Sequence, residues 1–232
     1  MIDMLNQSAF FAVVISLVAY FLGLEIKKRW NHPLCNPLLL SIVMVIGFLL
    51  LCHIPYETYA KSGGYLSYLL TPATVALAIP LYQQFKQFQA HWRPVMLGII
   101  SGVLCNLGLI YLMSRYFSLD YEMYVTLLPK SITTAIGLSI SEEYGGFVSI
   151  TATAIIITGI LGNIIAESLC KLCKIRHPVA KGVAIGTSAH AVGTSKAMEL
   201  GEVEGAMSSL SIVLTGLCTL LGISFFASLY PL

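Results

Sequence analysis

Residues 186–199, GTSAHAVGTSKAME, contain seven polar side chains in a chain that is 57% hydrophobic and only 10% charged. Hydroxyl groups beside a lysine can bind a small anion, and a histidine can exchange protons because its unperturbed pKa of about 6.5 lies near neutrality. A charge in the middle of a membrane costs at least ~2.5–3.5 kcal/mol, so such residues need partners, water or a ligand. A second segment, LLPKSITTAIGLSIS at 127–141, offers similar residue types.

The two polar segments belong to an internal repeat. AIGLSISEEYG at 135–145 and AVGTSKAMELG at 191–201 share the pattern A-[IV]-G-x-S-x-x-x-E-x-G at an interval of 56 residues. A fainter third copy precedes these two and contains Pro72, Ala78, Ile79, Leu81, Gly102 and Asn106. The same six residue types recur 57 positions later as Pro129, Ala135, Ile136, Leu138, Gly159 and Asn163. Chance recurrence of Ala, Gly and Leu in an apolar chain is the alternative for the pair and for the fainter copy. We therefore predict one integral-membrane domain over 1–232, with a weak unit at 66–113 and motif units at 124–169 and 182–230.

The elements that position these residues are predicted to be membrane helices. Mean hydropathy is +0.83, and the fold class expected is an all-α membrane protein surrounded by the lipid bilayer. About eight apolar stretches are close to the length that spans a bilayer: 8–24, 36–52, 66–82, 95–113, 124–141, 146–169, 182–198 and 206–230. A net charge of +2 argues against a nucleic-acid partner.

The distribution of basic residues indicates that some segments do not span. Lys27, Lys28 and Arg29 follow the first apolar segment and place that end in the cytoplasm. If every segment crossed once, the connection at 170–181 would lie outside, although it contains four cations: Lys171, Lys174, Arg176 and Lys181. Re-entry of 124–141 from outside places this connection in the cytoplasm.

A matching re-entry of 182–198 from the cytoplasm would make the two motif units inverted repeats with re-entrant or broken helices, whose tips meet near the midplane. Plain spanning helices with snorkelling lysines are the alternative. Helix breaks are expected at four residues: Pro129, Gly137, Gly186 and Gly193.

A site for a small carboxylate is predicted between the two motif units. Its candidate residues are Lys130, Ser131, Thr133, Thr134, Thr187, Ser188, His190, Thr194, Ser195 and Lys196. Candidates for proton coupling are His190, Glu143 and Glu199, and Asn106 and Asn163 are expected at a helix interface. The alternatives are structural: a hydroxyl bonds its own i−4 carbonyl, the glutamates pair with the lysines, and His190 ties two backbone segments together.

Enzymatic chemistry is not expected from these residues. Ser188 and His190 lie two positions apart and therefore on opposite sides of a helix, and the aspartates Asp3 and Asp120 lie outside the apolar segments. No phosphate-binding or dinucleotide motif is present, so we expect no cofactor. Cys170 and Cys173 form one C-x-x-C without a second ligand pair at suitable spacing, so we expect no metal site.

The stretch GTSAHAVGTSKAMELGEVEGAMSSLSI at 186–212, together with 127–141, resembles the LrgB/CidB family of bacterial inner-membrane proteins over nearly the whole chain. The resemblance implies a multi-pass protein of the bacterial inner membrane and two competing functions. One is secondary transport of small monocarboxylates such as glycolate, lactate or pyruvate, as implied by a related plastid glycolate/glycerate translocator, and the titratable residues add proton coupling as an option. The other is a holin/antiholin-like role that modulates murein hydrolase activity and autolysis.

For either function we expect a small LrgA/CidA-like membrane protein as partner and assembly as a homo-oligomer. The residues themselves favour transport, because large lesions do not require two matched polar segments with buried lysines.

Overall fold

The computed structural model of the protein describes residues 10–30, 35–69, 72, 75–76, 78–83 and 85–230, and these are predominantly helical. The chain divides into two compact units, Met1–Ala76 and Leu77–Leu232. The predicted all-α membrane class is confirmed, since three stretches are long and apolar enough to cross a membrane: Phe88–Tyr116, Val148–Leu172 and Glu202–Ser228.

The first unit contains helices α1 (Phe11–Arg29), α2 (Pro37–Leu51) and α3 (Tyr56–Tyr68). Asn36 caps the N-terminus of helix α2: its side-chain oxygen accepts hydrogen bonds from the backbone N–H groups of Leu38 and Leu39 at 2.9 and 3.2 Å. This cap and the proline in the first helical position are both favourable at a helix N-terminus.

The second unit begins with α4 (Ala78–Gln83) and α5 (Phe85–Tyr116) and continues with α6 (Tyr121–Leu127), α7 (Thr134–Glu143), α8 (Val148–Leu172), α9 (Pro178–Leu200) and α10 (Glu202–Ser228). In the apolar segment predicted at 66–82, α3 ends at Tyr68 and α4 begins at Ala78, and several of the residues between them lie outside the described part of the chain. Helix α5 is kinked at His91, close to Pro94, since proline clashes with the carbonyl four residues earlier.

Helix α9 reverses direction at His190, where the backbone has φ 41° and ψ −141°. A straight helix would hold Lys181 and Met198 roughly 25 Å apart at about 1.5 Å per residue. Both nevertheless contact the first turn of α10: Lys181 Nζ lies 3.7 Å from Glu204 Oε1, and a Cβ on Gly205 would lie 2.8 Å from Met198 Cγ. Residues 178–200 therefore form a helical hairpin, which we call hairpin 2.

Helices α6 and α7 form the equivalent hairpin 1, residues 121–143. The hydroxyl of Thr151 lies between its two limbs, 2.9 Å from Thr126 O and 2.6 Å from Ser141 Oγ. One contact recurs at the repeat interval, since a Cβ on Gly137 would lie 3.4 Å from Pro129 O and a Cβ on Gly193 would lie 3.3 Å from Ile185 O. The repeat seen in the sequence is therefore a repeat of structure.

The two hairpins lie along opposite ends of α8. Thr151, near the start of α8, contacts hairpin 1, whereas Asn163 Nδ2 donates to Val192 O in hairpin 2 at 2.7 Å. The tip of hairpin 2 reaches the middle of this arrangement, where His190 Nε2 lies 3.0 Å from Ile155 O. The tips therefore meet between the ends of the long helices, as inverted repeats with broken helices require, and the re-entry of both segments into the membrane stays a prediction.

Three glycines at intervals of 57 residues lie on the three long helices and face a hairpin. A Cβ on Gly102 would lie 2.7 Å from Thr187 Cγ2, one on Gly159 would lie 2.6 Å from His190 Cε1, and one on Gly216 would lie 3.2 Å from Ile136 Cδ1. The helical half of the fainter third copy thus shares a contact with the other two copies, while its first half lies partly outside the described residues.

The position of the break in α9 differs from the expectation. The reversal occurs at His190, while Gly186 lies within the first limb against the backbone of Ser208, and Gly193 lies in the second limb against Ile185. Both glycines are needed because they are small, not because they bend the chain. In hairpin 1, Pro129 does lie in the turn between α6 and α7, and Gly137 packs inside α7, where a Cβ would lie 2.5 Å from Ile155 Cδ1.

We expect Gly186→Ala to lower the free energy of unfolding by about 1–3 kcal/mol, because the added methyl group would meet the Ser208 carbonyl, which cannot rotate away. Thermal unfolding in detergent measures the change. Gly108→Ala is the matched control, since a Cβ there has no described neighbour within 4 Å and helix propensity favours alanine. Equal stability of the two variants would contradict the close packing of hairpin 2 on α10.

Candidate functional site

A cavity of about 810 Å³ lies among α5, α8 and the first limb of hairpin 2. We call it the tip cavity, because residues of both hairpin tips line its polar end: Lys130, Ser131, Thr187 and Ser188, together with Asn106 of α5 and Thr158 of α8. A separate cavity of about 530 Å³ in the first unit is lined by apolar side chains and offers no side-chain group for a polar ligand.

Lys130 supplies a positive charge at the polar end of the tip cavity. Its ammonium group donates to Asn106 Oδ1 at 2.8 Å and to Ser131 Oγ at 3.0 Å. Within the described part of the chain, no carboxylate lies within 4 Å of Lys130 Nζ. An ammonium group has three N–H donors, so one remains for a ligand.

Thr187 supplies a hydroxyl that is not engaged elsewhere. Its side-chain oxygen is buried and has no hydrogen-bond partner among the residues that the structure describes, and the residue, 8% exposed, lines the tip cavity. A buried polar group without a partner costs about 1–3 kcal/mol. Such a group indicates a position for water or a polar ligand.

The hydroxyls of Ser188, Thr194 and Ser195 are bonded within the protein. Ser188 Oγ donates to Ala184 O at 2.7 Å, although the residue lines the tip cavity. Thr194 Oγ1 lies 3.0 Å from His190 O and 2.8 Å from Ser208 Oγ, and Ser195 Oγ donates to Val192 O at 2.7 Å. The predicted Thr133 and Thr134 are half-buried and do not line the tip cavity.

His190 is fixed by its neighbours and does not line the tip cavity. The residue is 3% exposed, and its ring packs against Gly159. Because a carbonyl oxygen only accepts, the contact with Ile155 O requires Nε2 to carry a hydrogen, which leaves Nδ1 as the acceptor in the neutral ring. The structural role of His190 is therefore clear, and its role in proton coupling remains a prediction.

Lys196 differs from Lys130 because it is paired with two carboxylates. Its Nζ lies 3.2 Å from Glu167 Oε2 and 3.3 Å from Glu199 Oε2. Glu143 is exposed near the end of α7 and forms no ion pair with a described residue. Lys130 is therefore the better candidate for contact with an anion.

The two predicted interface asparagines have different roles. Asn163 joins α8 to hairpin 2 through Val192 O and through Ser195 Oγ at 3.1 Å. Asn106 belongs to the site itself, because it orients Lys130 and Ser131. Two residues here were not predicted from the sequence: Thr158, which lines the cavity, and Glu167, which pairs with Lys196. The signal for either was its polarity within an apolar segment.

We expect Thr187→Val to raise the free energy of unfolding by about 1 kcal/mol, since it removes an unpaired buried hydroxyl and keeps the shape of the side chain. It should also weaken binding of a small carboxylate in the tip cavity. The matched control is Thr215→Val, which removes another unpaired buried hydroxyl that does not line the cavity. Thermal unfolding and ligand binding are measured for both variants, and wild-type binding in Thr187→Val would exclude Thr187 from the site.

Comparison with known proteins identifies relatives over almost the entire chain. Residues 16–229 match the model of the LrgB-like family. A protein of Bacillus subtilis (strain 168) is 37% identical over 97% of both chains, and one of Bacillus mycoides (strain KBAB4) is 36% identical over 95% of this chain and 96% of the relative. Both are named Antiholin-like protein LrgB. No solved structure matches the chain.

Proposed function

This chain belongs to the LrgB-like family, and we propose that it is an antiholin-like protein of the bacterial inner membrane that modulates murein hydrolase activity and autolysis. The shared name of relatives that align over at least 95% of the chain carries this proposal. We further propose that it acts without enzymatic activity, as a homo-oligomer and beside a small LrgA/CidA-like membrane protein.

Close packing between the hairpin tips and the long helices supports an antiholin-like role over lesion formation. Gly162 of α8 contacts Ala189, and Gly102 of α5 faces Thr187. At these two points the helices approach each other closely, which small residues allow in membrane proteins, while both glycines also line the tip cavity. Close contacts of this kind favour helices that stay packed together over helices that separate to form a large lesion.

We expect that deletion of the gene accelerates detergent-induced autolysis and raises extracellular murein hydrolase activity, and that the wild-type gene restores both. Turbidity of the culture and zymography of secreted hydrolases measure the two effects. An unchanged lysis rate and hydrolase profile in the deletion strain, with the partner gene intact, would contradict the antiholin-like proposal.

Transport of small monocarboxylates is the second candidate function, and one observation favours it. Lys130 lies in the tip cavity without a carboxylate partner among the described residues, and Thr187, whose hydroxyl is unpaired, lines the same cavity. An antiholin-like role alone does not require a free cation and a free hydroxyl at the junction of two inverted hairpins, whereas a bound carboxylate would satisfy both.

Uptake into proteoliposomes tests the transport candidate. The purified protein is reconstituted with and without a small LrgA/CidA-like partner, and labelled glycolate, lactate and pyruvate are supplied under an imposed proton gradient. Saturable uptake of at least one of them would support transport. Absence of uptake in both preparations, together with an autolysis phenotype in cells, would leave the antiholin-like function alone.

A further inference from the structure

A third cavity, of about 380 Å³, lies where α8 ends and α9 begins. We call it the basic pocket, because four cations line it: Lys171, Lys174, Arg176 and Lys181. Its acidic lining residue is Glu167, which is already paired with Lys171 at 2.8 Å and with Lys196 at 3.2 Å.

Two of these cations have no carboxylate of their own. Lys181 lies 3.7 Å from Glu204, whereas neither Lys174 nor Arg176 has a carboxylate within 4 Å in the part of the chain that the structure describes. The basic pocket therefore has an excess of positive charge. Such a concavity attracts small anions and raises their local concentration.

The basic pocket and the tip cavity are adjacent, because Cys170 and Ile175 line both of them. Together the two cavities extend from the cationic connection at 170–181 to Lys130 at the hairpin tips. None of the described residues that line the tip cavity is acidic. An anion entering at the basic pocket would therefore meet positive charge at both ends of this path.

We infer that the basic pocket is a second, peripheral anion site and the entrance through which small organic anions reach Lys130, with Cys170 and Ile175 forming the neck between them. The positive-inside rule places this entrance on the cytoplasmic face. This entrance has a function only if the protein transports small carboxylates, so the inference rests on the transport candidate. The route itself is tested without measuring transport.

Native cysteines mark three points along this route. Cys105 lies beside Asn106 at the polar end of the tip cavity, Cys170 lies at the neck, and Cys173 also lines the tip cavity. The cysteines of the first unit, Cys35 and Cys52, are internal references because neither lines the two cavities. All of these thiols are free.

The experiment treats the wild-type chain in inside-out membrane vesicles with an anionic or a cationic methanethiosulfonate of similar size. Peptide mass spectrometry then gives the rate of modification at each cysteine. We expect the anionic reagent to modify Cys105 faster than the cationic one, and the double variant Lys174→Gln/Arg176→Gln to lower the anionic rate about tenfold. High salt should reduce this difference, because it screens exposed charges.

The matched control is Lys86→Gln/Arg93→Gln, which removes two cations that line neither cavity. Three results would overturn the inference: modification of Cys105 only from the opposite face, equal rates for the two reagents, or no effect of the Lys174 and Arg176 changes. If Cys105 shows the expected preference but no carboxylate is transported, the route stands and the transport candidate fails. If the protein takes up a carboxylate but the anionic reagent does not modify Cys105 from the cytoplasmic face, the transport candidate stands and the route is refuted.

Discussion

Replacing Lys130 with glutamine is expected to lower uptake of a small monocarboxylate about 10- to 100-fold, because hydrogen bonds that involve a charged group contribute about 1.5–3 kcal/mol. Lys130 is the cation of the tip cavity without a carboxylate partner among the described residues. Glutamine keeps a donor for Asn106 and removes the charge, so the change tests electrostatics more than packing. The measurement is initial uptake in proteoliposomes with matched protein content.

Ser188→Ala is the control for Lys130→Gln. Ser188 lines the same cavity, but its hydroxyl already donates to Ala184 O at 2.7 Å, so its removal should change uptake little. Unchanged uptake in Lys130→Gln would exclude Lys130 as the residue that binds the carboxylate. If Lys130→Gln loses uptake and still restores normal autolysis in the deletion strain, the antiholin-like function does not depend on carboxylate transport.

His190→Ala is expected to lower the free energy of unfolding by about 2–5 kcal/mol, because it empties the space beside Gly159 and removes the bond to Ile155 O. The backbone of His190, at φ 41°, lies in a region that strongly favours glycine. His190→Gly should therefore be more stable than His190→Ala by about 1–3 kcal/mol. Within a continuous helix the order is reversed, and alanine is favoured by about 1 kcal/mol.

The order of stability of these two variants tests the hairpin directly. Thermal unfolding in detergent gives the order, since about 1 kcal/mol corresponds to roughly 2–4 °C for a chain of this size. Ser188, in the first limb, is the matched position, and there the alanine variant should be more stable than the glycine variant. An alanine variant at 190 that is the more stable of the pair would show that α9 is continuous.

The same variants address proton coupling. His190→Gly has no titratable ring, so uptake in that variant that is still driven by a proton gradient would exclude His190 as the carrier. The other two predicted carriers would then remain: Glu199, which is paired with Lys196, and Glu143, which is exposed on hairpin 1.

Several features of this protein follow from the sequence alone, because they depend on sums or on local patterns. The membrane class follows from hydropathy summed over long segments, and α5, α8 and α10 lie close to three of the predicted segments. The repeat follows from a pattern at a fixed interval, and the prediction of re-entry follows from the conflict between the basic connection at 170–181 and the positive-inside rule. None of these inferences requires knowledge of which side chains meet.

The tertiary structure decided which polar groups are free. Lys130 and Lys196 look alike in the sequence, but Glu167 and Glu199 pair with Lys196, whereas Lys130 is bonded by Asn106, 24 residues away. The chain likewise reverses at His190 and not at one of the predicted glycines. The His190 ring packs against Gly159 and Ile155 O of α8, and these contacts stabilise the unusual backbone conformation. Such outcomes depend on partners from distant parts of the chain, and a local pattern does not specify them.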